Sequence, residues 1–116
     1  MGTSNPRRSN GSKRSKLIAI AKSRGEPCWI CGKPIDLSLP PGHPMSFELD
    51  EFHPVSRWRE FGYQSARACA LDPGNARLST HRVCNCWRGN KTVDEVRAIL
   101  TTQPPPSKTI PTRKWA

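Results

Sequence analysis

Glu26-Pro27-Cys28-Trp29-Ile30-Cys31-Gly32, answered some fifty residues later by His81-Arg82-Val83-Cys84-Asn85, decides how this chain is read. Two cysteines separated by two residues can turn both sulfurs towards one ion. A glycine directly after the second relieves the tight turn whose amides face the thiolates. Alone, Cys-x-x-Cys suits metal or redox chemistry, but a thioredoxin-like use needs a surrounding strand–helix–strand pattern that is absent here. His81-x-x-Cys84 repeats the first spacing, so Cys28, Cys31, His81 and Cys84 form two knuckles around one ion. Such a closed tetrahedral set leaves no place for substrate or water and suits a structural Zn²⁺. Cys86 competes for the fourth position. Cys84 is preferred because its spacing from His81 matches the first knuckle, whereas Cys-Asn-Cys on one ion strains the turn. Cys69 is expected to be a buried small residue without a ligand role.

The need for a staple follows from composition. Only 34% of the 116 residues are hydrophobic and 12 are proline, so an apolar core by itself is thin. Nothing in the chain reads as a signal-peptide core or a membrane span, which points to a reducing cytoplasm where cysteines bind metal rather than pair. The net charge of +10 is unevenly spread. Residues 1–24 carry seven bases and no acid, residues 106–116 three bases and no acid, and the middle is neutral. Three segments follow: a basic N-terminal arm or helix (1–24), a zinc-stapled domain (25–102) and a Pro-rich basic C-terminal tail (103–116). Basic tails attract polyanions, with nucleic acid the usual one; the bland alternative is a solvated tail that aids solubility.

Within this frame the periodicities predict a small α+β domain. Residues 1–12 are expected to be disordered. Residues 12–24 read as a short basic helix that either lies on a phosphate backbone or packs one face on the domain. Residues 46–52 alternate as a strand, which places Glu48, Asp50 and Phe52 on one face and Phe47, Leu49, Glu51 and His53 on the other. Arg57, Trp58, Arg59, Phe61 and Tyr63 mix bases with aromatic rings, suited equally to nucleic-acid contact and to covering a thin core. Residues 65–71 suggest a helical turn or two, 76–79 a second strand and 81–90 a helix. Thr92 with Glu95 forms a capping box for a last helix through Leu100.

With the zinc knuckles paired, the residues between and after them fall into a recognisable order. It runs Cys28/Cys31, then Asp50-Glu51-Phe52-His53-Pro54, Asn75, His81/Cys84-Asn85 and Arg88-Gly89. Over about residues 26–92 this resembles the HNH endonuclease family, most closely its small phage-encoded members. The resemblance implies a ββα-metal (His-Me finger) fold, two antiparallel strands and a helix around one catalytic divalent ion, stapled by the structural zinc and flanked by helices and disordered basic tails. It further implies hydrolysis of DNA phosphodiester bonds, with Asp50 and Asn85 as ligands of Mg²⁺ or Mn²⁺ and Asn75 fixing the loop over the site. Phage terminase is an implied partner in genome packaging, in the host cytoplasm, with no role for a membrane. Hard oxygen ligands suit an ion that neutralises a scissile phosphate, and a general base on the other side activates water. The chain departs from the family at the base, where Glu51 stands in place of histidine. His53 lies two residues on, roughly 7 Å along an extended strand. Glu51 and His53 are both candidates for the base, Glu51 being a weak one at its reference pKa of about 4.3. The alternative is a zinc protein on the same scaffold that binds nucleic acid and cuts slowly or not at all.

Overall fold

A computed structural model describes residues 11–109; of the tails expected to be disordered, residues 1–10 and 110–116 lie outside them. The order of elements is α1 (Gly11–Arg24), β1 (Phe47–Glu51), a 3-10 turn (Val55–Arg57), α2 (Ala66–Leu71), β2 (Ala76–His81), α3 (Arg82–Arg88), α4 (Val93–Leu100) and a second 3-10 turn (Pro106–Thr109). The result is a small α+β unit: among the described residues, four α-helices and one two-stranded antiparallel sheet.

Alternation in β1 places an element on each side of the sheet. Phe47 and Leu49 face α1, where Leu17 and Ala21 close a small core with Leu49 and Ala76. Glu48 and Asp50 face the other way, towards α3. Both faces are therefore covered, and Asp50 is as buried as Leu49. Helix α1 packs one face on the domain, so Gly11–Arg24, most of the segment expected to be a separate arm, belongs to the folded unit.

The strand pairs Phe47 with His81 and Asp50 with Leu78, then slips, so that Glu51 lies opposite Ala76. Arg77 is thereby left over as a bulge, and β1 ends at Glu51. The expected alternation holds through Glu51, on the α1 side with Leu49, but does not continue to His53, because the strand ends and side chains of Asn75 and Arg88 take the backbone groups of residues 51–53. Phe52 turns into solvent instead of joining the face of Glu48 and Asp50.

A second core lies under the knuckles, where Cys28, Ile30, Cys84 and Val96 pack together with Trp29, Ile35 and Leu100 around them. Helix α4 reaches this core through its expected capping box: Thr92 Oγ1 accepts from Glu95 N–H at 3.1 Å, and Thr92 N–H donates to the Glu95 carboxylate at 2.8 Å. After α4 the chain folds back on α3 instead of leaving as a tail. Ser107 is fully buried. Three consecutive prolines have little backbone freedom to lose, which lowers the entropy cost of that return.

Candidate metal centre and facing groove

The first knuckle is a turn fixed by its own backbone. Gly32 N–H donates to Cys28 O at 2.8 Å, and Cys28 N–H to Lys33 O at 3.0 Å. Gly32 adopts φ +76°, a conformation that side chains disfavour. Trp29 N–H then bonds Ser79 O, which ties the knuckle to β2. The second knuckle is the junction of β2 and α3. His81 is the last residue of the strand, extended at φ −82°, ψ 146°, and Cys84 sits in the first turn of the helix. The helix is shorter than the sequence suggests because His81 belongs to the strand.

These elements bring Cys28, Cys31, His81 and Cys84 together with all ligand atoms within 4.8 Å of one another. Two sulfurs on one tetrahedral zinc sit about 3.8 Å apart, so the spread suits such an ion. His81 Nε2 lies 3.2 Å from Pro34 O and Nδ1 lies 3.3 Å from Cys31 Sγ. Donation to the carbonyl fixes the tautomer and leaves Nδ1 free to face the metal. Hydrogen bonding from Cys84 holds the Cys28 thiol well below its usual range against the opposing effect of burial, and the same contact pushes Cys84 up. A bound cation would favour thiolate at every sulfur. Cys86 is exposed, and Cys69 is buried elsewhere, beside Asn75. The Cys₃His set is therefore compatible with a structural zinc, and Cys84 rather than Cys86 belongs to it.

Ser107 escaped the sequence reading. Its buried hydroxyl has no settled hydrogen-bond partner, and its influence falls on Cys84, where it favours the thiolate. No sequence signal marks it, because it acts only once the prolines have turned the chain back.

The residues expected to form the catalytic centre are placed on both sides of the β1–α3 face. Asp50 accepts from Arg88 Nη1 at 2.9 Å, Trp29 Nε1 at 2.9 Å and Glu51 N–H at 2.9 Å. Asn85, one turn before Arg88, donates instead to Glu48 Oε1 at 2.9 Å. Glu48 also accepts from Arg82 at 3.0 Å. Two rungs thus join β1 to α3, Glu48–Asn85 and Asp50–Arg88, and Asn85 meets Glu48 rather than Asp50. Glu48 was missed as a site residue although its alternation with Asp50 already put it on the same face.

Asn75 is buried and spends its whole carboxamide on the chain around His53. Its Oδ1 accepts from His53 N–H at 2.7 Å, while Nδ2 donates to His53 O and Cys69 O, each at 3.2 Å. Arg88 holds the same loop from below through the carbonyls of Glu51 and Phe52. The His53 ring is stacked on Phe61 with centroids 4.1 Å apart. Glu51 turns the other way, to Arg14 of α1 at 3.0 Å. Burial raises its carboxyl above the usual range, Arg14 opposes this, and Asp50 adds to it.

A groove of about 850 Å³ runs from α1 and α2 across β1 to the start of α3. Ser46, Glu48, Glu51 and Asn85 lie along it, with Arg14, Lys22, Arg67 and Arg82 among its other lining residues. It offers carboxylate and carboxamide oxygens between guanidinium and ammonium groups, an arrangement that can take a phosphate chain. Among the described residues no helix is long and apolar enough to cross a membrane. Comparison with protein-family models, with curated proteins and with solved structures finds no match to the chain.

Proposed function

We propose that the protein is a metal-dependent endonuclease of the HNH type, hydrolysing phosphodiester bonds in DNA. The observation that supports this reading is the groove bordered by α1, α2, β1 and the start of α3, where Glu51 and Asn85 lie among four basic side chains. Oxygen ligands from β1 and α3 would hold Mg²⁺ or Mn²⁺ against the scissile phosphate. Glu51 is the better placed base. It lines the groove, and burial raises its pKa towards the range where a carboxylate accepts a proton efficiently. His53 remains the second candidate, with its ring against Phe61 and its backbone clamped by Asn75. The Cys₃His cluster supports the site from behind: His81 and Cys84 stand at the start of the helix that carries Asn85. A phage setting, with terminase as partner in genome packaging, completes the proposal.

Binding without cleavage is the second reading, favoured by the Glu51–Arg14 ion pair that occupies the candidate base. Plasmid cleavage by zinc-loaded protein separates the two, with Mg²⁺ or Mn²⁺ added to metal-free buffer. Wild type should nick or linearise the plasmid only when the ion is present, and Glu51→Gln should abolish this. Folded, zinc-loaded wild type that binds DNA yet never cuts it leaves the binding reading.

A further inference from the structure

The carboxylate that would share a divalent ion with Asn85 is open to choice, because β1 presents Glu48 and Asp50 to the same helix. Their present partners differ in how easily they can leave. Asp50 is held by Arg88, which is 1% exposed and also donates to the carbonyls of Glu51, Phe52 and Lys91. Freeing Asp50 for an ion strands a buried guanidinium without its counter-charge, and breaking a pair of that kind is strongly unfavourable. Glu48 is held by Arg82, whose side chain is 45% exposed and can swing into water. Exposed pairs are weak and are easily exchanged for a tighter-binding cation.

The geometry at Glu48 also suits a small hard ion. Asn85 Nδ2 and Glu48 Oε1 are 2.9 Å apart. A half-turn of the carboxamide, at the cost of that hydrogen bond, puts Oδ1 in place of Nδ2. Adjacent oxygens around an octahedral Mg²⁺ at 2.0–2.1 Å are about 2.9 Å apart, so the two groups already span one edge of the shell. Ser46, two positions before Glu48, lines the same groove, is 2% exposed, and its hydroxyl has no hydrogen-bond partner. A buried hydroxyl left unpaired in a polar site is unusual and calls for a ligand or an ordered water.

We propose that Glu48 and Asn85, with Ser46 beside them, form the divalent-cation site of this protein, and that Asp50 is a strut for Arg88 rather than a ligand. The assignment deepens the nuclease reading and rests on it for what the ion does, but not for whether the ion binds.

The test is Mn²⁺ binding to zinc-loaded protein without nucleic acid, followed by electron paramagnetic resonance or calorimetry. Glu48→Gln should weaken Mn²⁺ binding tenfold or more while the melting temperature stays close to wild type. Arg82→Ala removes the competing cation and should tighten Mn²⁺ binding several-fold, a gain that no folding defect mimics. Unchanged binding in Glu48→Gln, or unchanged or weaker binding in Arg82→Ala, overturns the assignment. Plasmid cleavage on the same samples keeps the two ideas apart. Wild type that binds Mn²⁺ through Glu48 but never cuts retains the ion site and loses the nuclease. Full cleavage by Glu48→Gln retains the nuclease and removes Glu48 from it.

Discussion

Asp50 and Arg88 form an ion pair at 2.9 Å with both side chains buried, 5% and 1% exposed. The pair joins β1 to α3, and Trp29 completes it twice over: its indole N–H donates to Asp50, and its ring lies 5.0 Å from the Arg88 guanidinium. The knuckle, the strand and the helix thus meet at one carboxylate.

Asp50→Asn should therefore be a stability mutation first. It keeps the volume but leaves the Arg88 charge without a counter-charge, a loss of about 3–5 kcal/mol for a buried pair. Urea denaturation of zinc-loaded protein should show the midpoint falling accordingly. A midpoint within error of wild type would mean that Asp50 does not support the fold and is free for another task.

Much of this architecture was legible beforehand, and the parts that were not share a cause. The knuckles, the alternation in β1 and the Thr92–Glu95 cap are local patterns, each fixed by a few neighbouring residues. The partner of Asp50 is not local. It depends on the phase of α3, which brings Asn85 to Glu48 and Arg88 to Asp50, and on Trp29 arriving from the knuckle. The bulge at Arg77 has no marker, and neither does the end of β1 at Glu51, after which His53 leaves the alternation and joins Phe61. Helix α1 reads as a basic arm because only Leu17 and Ala21 of its fourteen residues are buried.

The metal cluster predicts an asymmetry between neighbouring cysteines. Cys84→Ala should lose the metal and unfold the domain, since structural zinc contributes folding free energy directly. Cys86→Ala should bind one zinc per chain and melt like wild type, because Cys86 is exposed. Elemental analysis with thermal melts reads both, and a folded, zinc-loaded Cys84→Ala would transfer the ligand role to Cys86.

Ser107→Ala should loosen the ion without unfolding the chain. Groups that orient a metal ligand from behind typically change affinity 10–100-fold. Zinc release to a chromogenic chelator should quicken on that scale if the hydroxyl favours the Cys84 thiolate as placed. Release at the wild-type rate would reduce Ser107 to a packing residue.

Asn75→Ala removes three oxygen- or nitrogen-partnered hydrogen bonds at once and leaves His53 N–H without its acceptor. The cost should be about 1–3 kcal/mol for each buried group left unsatisfied, though not additively. Amide exchange distinguishes this from general destabilisation. Protection of the His53 amide should collapse more than that of Leu49 in the adjoining strand, and equal losses at both would make Asn75 an ordinary core residue.

The sharpest prediction concerns the base. Glu51 acts only when ionised, so cleavage should rise with pH through its pKa and level off above it. Burial places that pKa above the ordinary carboxylate range, and Arg14 at 3.0 Å holds it down in part. Removing Arg14 takes away a group that favours the ionised form, so Arg14→Ala should move the midpoint of the pH–rate profile upwards. A bound phosphate drawing Arg14 away from Glu51 would act in the same direction. His53→Ala should leave the midpoint where it is, because the His53 ring packs on Phe61 and Glu51 on α1. The measurement is kcat/KM for plasmid nicking between pH 4.5 and about 8.5, spanning the reference carboxylate and imidazole values. A midpoint near that of free imidazole that vanishes in His53→Ala, with Glu51→Gln still active, would transfer the role to His53. The Glu51–Arg14 pair would then be no more than the hinge by which α1 is fastened to the sheet.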